Sequence, residues 1–97
     1  MTAKEKEEVV YLRSISPKIK NDEMKKNDWR YRIMDLSEIE LKEELKTWSR
    51  IKCIFWLYWN DPNGIWTHSQ SRDEGYPLLT TKTARDYIFM MLTREER

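Results

Sequence analysis

The sequence is short of most residues that catalysis or a disulfide-built fold requires. Its single cysteine, Cys53, excludes an internal disulfide and reads as a buried spectator thiol in a reducing compartment. Its single histidine, His68, excludes a histidine-rich metal centre. Ser69 and Ser71 beside it make no catalytic triad, because no strained nucleophile turn accompanies them. The two glycines stand alone at 64 and 75, so no glycine-rich loop is present to cradle a phosphate. Eighteen basic against 17 acidic residues give a net charge of +1, which denies the chain the broad basic field of a non-specific nucleic-acid binder. No apolar run approaches the ~20 residues of a membrane span, and residues 1–8 have no signal-peptide centre. We expect a cytoplasmic protein with no membrane contact and no cofactor.

What the chain does have is aromatic surface. Aromatic residues make up 12% of it, five of them Trp, which is area worth burying and argues against disorder. Residues 1–8 read as a charged tail in which Thr2 and Glu5 could still cap a helical turn. Residues 9–97 read as one domain.

Residues 51–71 carry the strongest pattern. Seven apolar residues from Cys53 to Trp59 run into Asp61-Pro62-Asn63-Gly64, then return through Ile65 and Trp66. Pro62 presets a type I turn, Asp61 can accept from the backbone ahead, and Gly64 suits a left-handed bulge, so a β-hairpin is predicted. Alternation then gives a core face of Ile51, Cys53, Phe55, Leu57 and Trp59. The opposite face carries Ile54, Trp56, Tyr58, Trp66, His68 and Gln70.

Residues 9–15, rich in β-formers, and the alternating residues 29–34 read as two further strands. A polar, lysine-rich connection lies between them, and Ser16-Pro17 could open a short helix there. Ser37 and Glu40 form a capping box ahead of Leu41, Leu45 and Trp48, which predicts a helix ending near Arg50. A loop over 72–77 precedes a second helix, capped by Thr80, Thr81 or Thr83, with Ala84, Ile88, Met91 and Leu92 turned inward. The predicted fold is therefore α+β in the order β-β-α-β-β-α, an antiparallel sheet with both helices on one side. Sliding one helix onto the other suggests two pseudo-repeated ββα halves, 9–50 and 51–97.

The aromatic face suggests the function. Rings with polar tips beside arginine are the residue types that dominate protein-binding hot spots. We expect a non-enzymatic binding or assembly module, such as a small accessory protein of a virus or prokaryote, that meets a protein partner or a second copy of itself. The contact surface would comprise Trp56, Tyr58, Trp66, His68 and Gln70, with Arg30 and Arg32 at its edge. The alternative is single-stranded nucleic acid, with bases stacked on those rings and phosphates met by Arg30 and Arg32. A plainer reading has the aromatic face covered by the chain's own helices.

Overall fold

Side-chain caps, not strands, punctuate this chain. The computed structural model describes residues 2–94, and among them there is no strand. Seven α-helices follow one another: α1 (Ala3–Ser14), α2 (Asp22–Asn27), α3 (Trp29–Arg32), α4 (Glu38–Leu45), α5 (Arg50–Asn60), α6 (His68–Glu74) and α7 (Thr81–Thr93). A 3-10 turn, Ile33–Asp35, follows α3. Each helix starts at a Ser, Thr, Asn or Asp whose side chain accepts a backbone N–H of the first turn. That bond satisfies a donor the helix itself leaves unpaired.

The predicted α+β sheet is thus replaced by a helical bundle, and the ββα halves fall with it. The central correction lies in α5. Ser49 accepts from the Lys52 N–H at 3.1 Å, so a new helix begins where α4 has only just ended. The apolar run 53–59 is equally apolar at every period, and periodicity cannot separate a buried strand from a buried helix. Apolar residues on nearly all sides suit a helix enclosed by others, and α5 packs against α1 and α7.

The turn after α5 forms, but it ends a helix instead of joining strands. Asp61 accepts from the Asn63 N–H at 3.2 Å, and the Gly64 N–H donates to the Asp61 carbonyl at 3.1 Å. Gly64 is not left-handed. It is needed for space, because a Cβ there would lie 2.3 Å from the Trp66 indole. The left-handed glycine is Gly75, at φ 76°, which closes α6.

The other two predicted strands are helical for related reasons. Residues 9–15 continue a helix begun by Thr2 and Glu5, whose reciprocal capping bonds both measure 3.1 Å. Asp28 accepts the Arg30 N–H at 2.9 Å and starts α3, which places Ile33 in the core one turn beyond Trp29. Residues 68–74, read as strand and loop, form α6 behind a second capping box, Thr67 with Gln70. The short helix in the lysine-rich connection is opened by Asn21 instead of Ser16-Pro17.

The two helices expected from sequence are present, but α4 ends at Leu45 instead of near Arg50, so Trp48 lies beyond it and Arg50 opens α5. Ser37 and Glu40 exchange bonds of 2.9 and 3.2 Å, and Leu41, Leu45 and Trp48 are all buried. Thr80 is the cap of α7, and Ala84 and Ile88 are sealed against the bundle, while Met90 is exposed.

One end of the bundle is held by polar contacts. Glu5 pairs with Arg50 at 3.1 Å, the Ser49 hydroxyl donates to Glu8, and Arg50 also donates to the Leu79 carbonyl at 3.0 Å. Arg85 donates twice to the Trp48 carbonyl, at 3.1 and 2.6 Å. These contacts tie α1 and α7 to the start of α5. In doing so they leave part of one α5 face uncovered.

Candidate functional site

The uncovered face follows from helix geometry. On α5, Ile51, Ile54, Phe55 and Tyr58 fall at i, i+3, i+4 and i+7, so they share one stripe. On α1, Val9 and Arg13 stand one turn apart, and Ser16 lies just beyond the helix end. Together with Trp59, Arg30 and Thr67 these residues line an open groove of about 480 Å³. That volume lies within the usual range of binding clefts. Ile51 and Ile54 are buried and form the floor. Phe55 and Trp59 are half-buried, and Tyr58 is 47% exposed.

The groove wall beneath Trp59 is rigid and electrically closed. Arg30, only 5% exposed, donates to Asp28 through Nε and Nη2, both at 2.8 Å. It also donates to the Pro17 carbonyl at 2.7 Å and lies 4.9 Å from the Trp59 ring centre. Burial alone would push the Asp28 carboxyl up. The Arg30 side-chain bond, its backbone N–H and its charge together outweigh that and hold the carboxyl below its ordinary value.

Arg13 differs in kind. It is exposed, and among the described residues its guanidinium has no ion-pair or hydrogen-bond partner. Ser16 accepts the Trp29 indole N–H at 2.8 Å, and Thr67 accepts the Gln70 N–H at 3.2 Å. Each of these hydroxyls keeps a proton to give.

The residues predicted as a contact surface are dispersed. Tyr58 and Arg30 do meet in the groove. Trp56 is 0% exposed, sealed in the core with its indole N–H on the Arg30 carbonyl at 2.8 Å. Trp66, 8% exposed, folds over the Gly64 turn, donates to the Asp61 carbonyl at 2.8 Å and meets Tyr87 edge-on. Gln70 serves as a cap, accepting from the Trp66 and Thr67 N–H groups. The side chain of His68 lies outside the described residues. The common face was a product of strand alternation, and in a helix Trp56 and Tyr58 diverge by about 200°.

Arg32 is exposed at a smaller cleft, about 230 Å³, with Trp29, Trp48, Glu44 and Lys52. There Lys52 lies 5.3 Å from Trp29 and 4.7 Å from Trp48, so the molecule's own ammonium faces those rings. Bases cannot stack on Trp56 or Trp66 in this fold, and Arg30 is neutralised by Asp28. Among the described residues no three His, Cys, Asp or Glu groups gather as metal ligands. No described helix is long and apolar enough to cross a membrane.

Sequence reasoning missed Val9, Arg13, Phe55 and Trp59 as groove residues. The signal was present: read at helical spacing from the Ser49 cap, residues 51, 54, 55 and 58 form a stripe that nothing in the α4 or α7 patterns is needed to cover. Known proteins add nothing to this geometry, since no family model, curated protein or solved structure matches the chain.

Proposed function

We propose that this chain is a non-enzymatic protein-interaction module that receives a segment of a protein partner in the groove between α1 and α5. The observation that carries the reading is the apolar groove along the central helix, floored by the buried Ile51 and Ile54, with exposed Tyr58 and half-buried Phe55 and Trp59 at its lip. A concave, mainly apolar surface with aromatic anchors and an arginine rim has the make-up of an interaction hot spot. The chemistry of the lone thiol is consistent with a binding role. Burial pushes Cys53 up to about 12, so it stays protonated and unreactive, as an unpaired cysteine does in the reducing interior of a cell.

The test is a binding screen with two matched variants. Tyr58→Asp puts a charge in the groove, while Tyr87→Asp puts one on a tyrosine that does not line it, beside Trp66. Peptides selected from a display library of mixed helical and extended segments should lose binding to Tyr58→Asp and keep it for Tyr87→Asp. Equal binding to both variants would contradict the reading.

A further inference from the structure

We infer that the segment this groove accepts is an amphipathic α-helix bearing a carboxylate that docks on Arg13; this rests on the groove reading above. The shape argument comes first. The two walls are helical rows, Ile51, Ile54, Phe55 and Tyr58 on α5 and Val9 with Arg13 on α1. Rows at i, i+3, i+4 and i+7 present the ridges between which a third helix sets its own side chains. The α5 row is about 10 Å long, two turns, so the occupant presents a matching stripe of apolar residues over the same length. Strand addition is ruled out as a mode at this site, because both walls are helices whose backbone groups are already bonded within them.

The charge argument is independent of shape. Arg30 is already neutralised by Asp28, so it adds little net charge to the groove. Arg13 brings a whole positive charge with no acid beside it among the described residues. Ser16 and Thr67 line the same groove, and each hydroxyl, already accepting a bond, keeps a proton to give. Unspent donors around an apolar floor call for an acceptor on the occupant, and the acceptor that answers a guanidinium best is a carboxylate. An occupant with a basic residue there would instead meet an unscreened like charge.

The experiment is a selection with full-length protein against a display library of helices about four turns long, with fixed apolar positions and the flanking positions randomised. Enriched sequences should carry Asp or Glu at one position beside the stripe. Binding of an enriched peptide should fall about fivefold for Arg13→Ala, the effect of one partly exposed pair. Arg13→Glu should switch the selected residue to Lys or Arg. Arg13 has no partner among the described residues, so both variants should melt as the parent does. Enrichment that ignores the acidic position, with binding still lost in Tyr58→Asp, would overturn the carboxylate inference and leave the groove reading standing. Peptides insensitive to Tyr58→Asp would overturn both. A Tyr58-dependent dimer in sedimentation would put a second copy in the groove and also overturn the inference.

Discussion

The two sides of α5 teach the most when set beside each other. Toward the bundle, Cys53, Trp56 and Leu57 have no exposed surface at all, and Trp56 also completes a buried hydrogen bond. Toward α1, the stripe ends in Phe55 and Tyr58, which α1 reaches only partly before it stops at Ser14. Residues of nearly the same composition, one or two positions apart, thus serve stability on one side and remain available on the other. Composition does not separate them. The helix period does.

That contrast can be broken by substitution. Trp56→Ala should have the largest effect, destabilising the fold by about 3–5 kcal/mol in urea unfolding, since it leaves an indole-sized cavity and an unpaired Arg30 carbonyl. Tyr58→Ala should change stability by less than about 1 kcal/mol, because nearly half that side chain is already in water. Equal losses for the two would mean that α5 has no open side.

Arg30→Met tests the closed wall of the groove. It leaves the Asp28 charge buried and unpaired and should cost about 3–5 kcal/mol. The same pair predicts a pH dependence. Because the folded Asp28 value lies below its unfolded value of about 3.9, its contribution is complete above that pH and is lost as pH falls through the folded value. The stability gap between the parent and Asp28→Asn should therefore be constant near neutrality and narrow below about pH 4. A gap that widened in acid would contradict the pairing.

Gly64→Ala should have a smaller effect, about 1–3 kcal/mol, as the Trp66 ring is pushed off the turn. Its companion, a substitution at left-handed Gly75, meets no neighbour within 4 Å and should cost about 1 kcal/mol from backbone strain alone. These two values separate a glycine kept for space from one kept for conformation.

How much of this was legible in the sequence follows the same contrast. The Ser37–Glu40 box and the stripes of α4 and α7 were readable because polar residues interrupt them and so declare a period. In α5 nothing interrupts the run, and the aromatic and β-branched residues favour a strand wherever packing does not decide otherwise. The Asp61-Pro62-Asn63-Gly64 turn was recognised, yet a turn of this composition ends a helix as readily as it joins two strands. Reading it as a hairpin hid the Thr67–Gln70 box directly after it. Of the candidate site, Tyr58 was placed on an accessible surface for the wrong geometric reason. Arg30 reads as a free cation in the sequence because nothing in the strand pattern announces that Asp28, two residues earlier, is buried with it and pairs with it. Arg13 was hidden within a presumed strand.

The most direct measurement is paramagnetic broadening of side-chain NMR signals by a soluble gadolinium chelate. It compares Phe55 and Tyr58 with Trp56 and Leu57 on the same helix. The account predicts strong broadening of the Phe55 and Tyr58 rings and almost none of the Trp56 indole or the Leu57 methyls. Uniform broadening along residues 50–60, or a protected Tyr58 ring, would contradict it.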